Sequence, residues 1–227
     1  MILVKELLNT LKKNKISFYT GVPDSVLKNL SSYFDRLNKT KHIIAVNEGS
    51  AIAIGIGYYL STKKIACVYL QNSGLGNAIN PLISVAHKKV YSIPMLLMIG
   101  WRGSHNKKDE PQHKVKGKIT PKLLKLLDIN CCVLRKKKDL IKLDKLIKTS
   151  QQTRTTVACL IEKDILKIQN KYTQITKSKI FPLRKDLIFE LLKQISNNSK
   201  IISTTGYTSR ELMEVRKEKK LFKGKDF

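Results

Sequence analysis

Residues 65–77 read Ile65-Ala66-Cys67-Val68-Tyr69-Leu70-Gln71-Asn72-Ser73-Gly74-Leu75-Gly76-Asn77. The first six are apolar without alternation, which marks a strand covered on both faces, as in the centre of a parallel sheet. Polar residues and two glycines then break the run, and Leu75 to Ala86 resumes with the spacing of a helix. A strand that feeds through a tight turn into a helix is the repeating unit of an α/β sheet.

The same unit recurs on either side. Upstream, residues 2–13 carry a helical stripe of Ile2, Leu3, Leu7, Leu8 and Leu11. A strand is predicted over 16–19, a helix over 24–37 with Asp24 or Ser25 as its cap after Pro23, a strand over 42–46 and a helix over 48–60. Downstream, strands are predicted at 93–99, 131–134 and 156–161, with helices at 120–127 and 138–148. The fold class is therefore α/β, a parallel sheet with helices on both faces. The helix around 51–59 is apolar nearly all round and contains Gly55 and Gly57, so burial on more than one side is expected.

This first domain is expected to occupy residues 1–162. Residues 163–181 are polar and basic, are closed by Pro182, and read as a linker. Residues 182–227 carry a helix (184–195), a strand (200–203) and a helix (209–220), the start of a second α/β unit too short to bury its own sheet.

With 42% hydrophobic residues the 227-residue chain can bury a sizeable core, despite a net charge of +27. The lysines are spread along the whole chain and no nucleic-acid signature accompanies them, so a solvated surface is the reading and nucleic acid is not an expected partner. The four cysteines, at 67, 131, 132 and 159, form no C-x-x-C pair. Reduced thiols and a cytoplasmic location are expected. The N-terminus lacks the apolar core of a signal peptide, and the run from Ala51 to Leu60 is about half a membrane span, so no membrane partner is expected.

Four clusters fall at strand-to-helix turns, where a parallel sheet places its ligands. Gly21-Val22-Pro23-Asp24-Ser25 can present backbone amides to an anion or simply cap a helix. In Asn47-Glu48-Gly49-Ser50-Ala51, a glutamate opens an apolar helix. Burial would raise its pKa while the helix N-terminus favours its charge, which suits acid–base work or plain dipole compensation. Asn72, Ser73 and Gly74, with Gly76 and Asn77, offer close backbone approach and neutral hydrogen bonds, without the Lys of a P-loop. Gly100-Trp101-Arg102-Gly103 is followed by Asp109-Glu110-Pro111-Gln112-His113. Arg102 can grip a carboxylate or phosphonate, and His113 can shuttle protons or stand as a surface residue.

Together these motifs, with Gln71 through Pro81 and the tail Ser203-Thr204-Thr205-Gly206-Tyr207-Thr208-Ser209-Arg210, resemble the phosphonopyruvate decarboxylase group of thiamine diphosphate-dependent enzymes. The likeness covers essentially the whole chain, in the N-terminal portion of that family. It implies a pyrimidine-binding domain at 1–162 and the incomplete start of a diphosphate-binding domain at 182–227. It also implies decarboxylation of 3-phosphonopyruvate to phosphonoacetaldehyde, with a sulfopyruvate-type subunit or a catalytically silent fragment as alternatives. Thiamine diphosphate is the implied cofactor, with Mg²⁺ whose ligands are expected on the missing domain. By the same likeness, Glu48 hydrogen-bonds the aminopyrimidine ring and promotes its imino tautomer, and His113 is the second catalytic residue. Asp24, Ser25 and Arg102 contact a small anionic 2-oxo acid, while Asn72, Ser73, Gly74, Thr205 and Gly206 contact the cofactor. A homo-oligomer, or a hetero-oligomer with a chain that supplies the Gly-Asp-Gly-bearing domain, is the implied assembly.

Overall fold

The computed structural model describes residues 1–104, 109, 111–168, 182–196, 199–204 and 206–218. The chain divides into two units, Met1–Lys171 and Tyr172–Phe227.

The first unit is built on six parallel strands. In chain order they are β2 (Tyr19–Gly21), β3 (His42–Ile44), β4 (Ala66–Gln71), β5 (Met95–Trp101), β6 (Asn130–Leu134) and β7 (Val157–Glu162), arranged β3-β2-β4-β5-β7-β6. As the unbroken apolar run predicts, β4 lies inside the sheet, and Ala66 through Leu70 are all buried. A short pair beside this sheet joins β1 (Ile2–Leu3) to β8 (Leu166–Lys167). The segment predicted as linker thus begins with residues that pair back onto the N-terminus of the first unit.

Helices cover both faces. On one face α1 (Val4–Lys13), α2 (Lys28–Phe34) and α6 (Leu140–Thr153) bury Leu7, Leu11, Leu30, Phe34, Leu143 and Ile147 against the sheet. On the other, α3 (Glu48–Thr62), α4 (Leu75–Pro81) and α5 (Pro111–Leu126) bury Ala51, Ile52, Leu75, Ala78 and Leu124. Each of the leucine, isoleucine and phenylalanine side chains contributes roughly 1.5–3 kcal/mol over its exposed state. Pro81 removes a backbone donor, and α4 continues as a π-turn over Leu82–Ala86.

Several expected boundaries move. The helix predicted from residue 24 begins at Lys28, because the Asp24 carboxylate accepts from the backbone amides of Val26 and Leu27 and closes a turn first. The helix predicted at 120–127 begins at Pro111. Pro121 reads as a start signal in sequence, yet here it sits inside the helix. Its missing N–H leaves the Gly117 carbonyl without a helical donor, and the buried Trp101 indole supplies one at 2.9 Å. Helix α3 is buried on one side only: Ala53, Gly57 and Leu60 are exposed.

The second unit contains α7 (Arg184–Gln194) and α8 (Tyr207–Glu218), tied by Arg184 to Glu211 and by Lys185 to Glu218. The strand expected at 200–203 does not form; these residues pair with no other strand among those described.

Candidate active site at the carboxyl ends of the strands

The chain leaves β2 toward β3 on one side, and β4 lies on the other side and leads away to β5. Such a reversal opens a crevice at the carboxyl ends of the two adjacent strands. Asp24, just after β2, and Gln71, at the end of β4, meet across it: Gln71 Nε2 donates to Asp24 Oδ1 at 2.9 Å. Ser73 Oγ in turn donates to Gln71 Oε1 at 2.6 Å. Asp24 therefore carries three donors, the amides of Val26 and Leu27 and the Gln71 side chain. Its position depends on Gly100, where an added Cβ would lie 2.0 Å from Asp24 Oδ2.

Glu48 opens α3 after β3 and is half-buried. Asn47 caps the helix by accepting from the Ser50 amide at 2.8 Å, which fixes the helix start and with it the Glu48 backbone. The carboxylate reaches α4, where Asn77 Nδ2 donates to Oε2 at 2.9 Å. The other oxygen rests over Gly74: an added Cβ there would lie 1.8 Å from Oε1. The glycine-bearing turn after β4 is thus a cradle for the Glu48 carboxylate, and Asn77 is its clasp.

Asn72 is buried and joins two elements. Its Nδ2 donates to the Arg102 carbonyl and to Thr120 Oγ1, and its Oδ1 accepts from the Arg102 amide, each at 3.0 Å. Arg102 holds Asp109 through Nε and Nη2, and the Gly103 amide donates to the same carboxylate at 2.8 Å. Arg102 Nη1 stands 3.4 Å from Ser25 Oγ. His113 lies in the first turn of α5, half-buried, with its carbonyl against Gly103. Close approach here requires glycine twice, since a Cβ on Gly117 would lie 1.8 Å from the Gly103 carbonyl oxygen.

The fold therefore links Asp24 to Ser73, Ser25 to Arg102, Asn72 to Arg102, and Glu48 to Gly74. Gly206 belongs to the second unit, where φ of +131° favours glycine and its carbonyl accepts from Ser209 Oγ. Thr205 lies outside the described residues. Sequence reasoning gave no site role to Gln71 or Asp109, and it named Asn77 as a hydrogen-bonding residue without its partner Glu48. Gln71 and Asn77 fall within the loop already singled out, and their polar side chains next to a buried strand were the available signal. Among the described residues, no cluster of three or more His, Cys, Asp or Glu could hold a metal ion, and no helix is long and apolar enough to cross a membrane.

Residues 1–122 match the family described as thiamine pyrophosphate enzyme, N-terminal TPP binding domain. The phosphonopyruvate decarboxylase of Streptomyces hygroscopicus is 28% identical over 228 aligned positions, covering 93% of this chain and 56% of the relative. The alpha subunit of sulfopyruvate decarboxylase from Methanocaldococcus jannaschii is 38% identical over 121 positions, covering 53% of this chain and 69% of that subunit. The chain spans about half the length of the phosphonopyruvate decarboxylases it matches. Among solved structures, benzoylformate decarboxylase from Polynucleobacter necessarius superposes with a TM-score of 0.58 at 19% identity, over 89% of this chain and 38% of that one.

Proposed function

This chain belongs to the thiamine pyrophosphate enzyme family, through its N-terminal TPP binding domain, and from that premise we propose that it is the pyrimidine-binding component of a decarboxylase for 3-phosphonopyruvate. It would work with a diphosphate-binding domain. The observation that carries this reading is the seat of Glu48, whose carboxylate lies over bare Gly74 and is clasped by Asn77 at the carboxyl ends of the strands.

These residues suit the cofactor's aminopyrimidine. Among the described residues Asn77 gives Glu48 its one hydrogen bond, through Oε2, which leaves Oε1 to exchange a proton with a ring nitrogen. Thiamine diphosphate, when bound, supplies the nucleophilic carbon and the electron sink for the departing CO₂. The turn of Asn72, Ser73 and Gly74 would line the pyrimidine. Arg102 and Ser25 would face the substrate's anionic group, with Asp109 holding the guanidinium in place. Asp24 is a structural acceptor first, and its place is to fix Gln71 and the wall of the crevice. His113 would return a proton to the product. Gly206, with Thr205, would contact the cofactor from the start of the diphosphate-binding domain, read as residues 182–227 after a linker at 163–181. Mg²⁺ would be held on the diphosphate side.

A sulfopyruvate-type reaction is the second reading, favoured by the 38% identity to an alpha subunit of which this chain covers 69%. Both substrates are 2-oxo acids with a second anionic group, so one crevice could take either. The discriminating assay is release of phosphonoacetaldehyde or of its sulfonate analogue by the chain reconstituted with a diphosphate domain. Under the first reading phosphonopyruvate is the better substrate, and Glu48→Gln lowers its turnover by at least about 10²-fold, since an amide of the same volume cannot exchange the proton. Near-unchanged turnover in Glu48→Gln would remove Glu48 from this role. Preference for the sulfonate would establish the second reading.

A further inference from the structure

Gln71 ends β4 and stands between two side chains of the crevice, Asp24 and Ser73. The Asp24 carboxylate accepts from the backbone amides of Val26 at 2.9 Å and Leu27 at 3.1 Å, and from Gln71 Nε2 at 2.9 Å. Gly100 lies against its Oδ2 with no room for a side chain. The backbone therefore fixes the Asp24 carboxylate independently of Gln71.

A glutamine amide has a donor at one end and an acceptor at the other. Against a carboxylate, which only accepts, it must turn Nε2 inward; the reverse would set oxygen against oxygen. Oε1 is then left facing Ser73. The 2.6 Å contact between Ser73 Oγ and Gln71 Oε1 is that of a hydroxyl donating to an oxygen. Serine has a single proton to donate. With that proton committed to Gln71, Ser73 Oγ offers only lone pairs to anything else, and no donor among the described residues reaches them. Ser73 is half-buried. It lies between Asn72, which Arg102 and Thr120 hold, and Gly74, over which Glu48 Oε1 rests.

We propose that Gln71 is a positioning residue that fixes Ser73 as an acceptor, so that this turn takes an N–H of the bound ligand and turns away a C=O. The inference rests on the proposed function, in which the turn lines the pyrimidine, and the N–H is that of the ring's exocyclic amine. Control runs outward from the backbone. The Val26 and Leu27 amides fix Asp24, Asp24 fixes the Gln71 amide, and the amide fixes the hydroxyl. An oxygen in place of the amine would meet the lone pairs of Ser73, because the hydroxyl cannot turn to donate without abandoning Gln71 Oε1. The same polarity keeps the oxygens of an anionic 2-oxo acid off this turn and leaves them to Ser25 and Arg102.

The test reads binding rather than turnover. The full chain, reconstituted with a diphosphate domain and Mg²⁺, is titrated calorimetrically with thiamine diphosphate and with oxythiamine diphosphate, whose ring carries an oxo group in place of the amine. The quantity compared is the ratio of the two dissociation constants. Gln71→Met keeps the length of the side chain without its hydrogen bonds. It should lower the preference for the amine by about three- to tenfold, the worth of roughly one hydrogen bond. Ser73→Ala should lower the preference as much, and adding Gln71→Met to Ser73→Ala should change it no further. A purely structural role for Gln71 would weaken both ligands alike and leave the ratio at its wild-type value. That result overturns the proposal, as does an unchanged ratio in Ser73→Ala. Should Gln71→Met fail to fold, Ser73→Ala alone decides. A wild-type complex that binds neither ligand overturns the thiamine reading, and this inference with it.

Discussion

Gly74 is the residue whose smallness the candidate site depends on most directly. A Cβ there would lie 1.8 Å from Glu48 Oε1, and the obstructing atom is the end of a flexible side chain. Gly74→Ala should therefore displace the carboxylate while leaving the fold and its melting temperature nearly unchanged. A shift of about 1 Å in a proton-exchanging group costs roughly 10²-fold. The reconstituted decarboxylation rate, read beside the thermal melt, checks this, and a parallel loss of both would assign Gly74 to stability instead. His42 makes a different kind of prediction. It is buried in β3, bonded through Nε2 to Tyr69 Oη at 2.8 Å and packed on Phe34. Burial holds its pKa below the usual imidazole value, against an opposing pull from Asp35 and the Phe34 backbone. The unfolded chain thus binds the proton first. The contribution of neutral His42 is fully present above the ordinary value of about 6.5 and is lost as pH falls below it toward the folded pKa. The melting temperature should fall over that interval, and His42→Phe should flatten that part of the profile.

Among the elements, α5 shows how one missing donor is made good by a neighbour. Pro121 frees the Gly117 carbonyl, and the Trp101 indole at the end of β5 takes it. Trp101→Phe should destabilise the first unit by about 1–3 kcal/mol, because a buried carbonyl loses its donor. Adding Pro121→Ala restores a backbone N–H one turn on, so the double variant should recover part of that loss. Denaturant titration of the two single variants and the double variant measures the coupling; strict additivity would show that the indole and the proline act separately. The same junction positions the site, since Gly103 and Gly117 touch where Arg102 and His113 enter.

For the first unit as a whole, the outer face of α3 and α4 is the telling surface. Ala53, Gly57, Leu60, Gly76 and Ile83 are exposed there, on helices whose other sides are core. A Cβ on Gly57 would meet nothing within the chain. Small apolar residues facing solvent suit close approach by another subunit. We expect a dimer or larger assembly at micromolar concentration by sedimentation. Gly57→Arg should dissociate it without unfolding, since glycine inside a helix costs about 0.5–1 kcal/mol relative to a residue with a side chain. A wild-type chain that sediments as a monomer would leave this face without the proposed role.

The linear order of residues was enough for the α/β class. A six-residue apolar run bounded by polar residues and glycine suits a strand covered twice, as β4 is, and helical stripes such as Leu7 and Leu11 announce which face is buried. The motif-bearing turns were legible for the same reason, because each interrupts a periodic pattern at a strand's end. Local pattern could not say that Asp24 would first cap a turn and bind Gln71, that Asn77 would reach Glu48, or that Arg102 would be held by Asp109. Those pairings join residues 47, 29 and 7 positions apart. The first two exist only once the order β3-β2-β4 brings the strand ends side by side, and the third closes within the segment that follows β5. The start of α5 was missed because residues 111–119 are mostly polar and show no helical stripe, and in the fold a tryptophan from β5 supplies the donor that Pro121 lacks. Sequence determines what each segment can bury, and the packed sheet decides which polar side chains are left to meet.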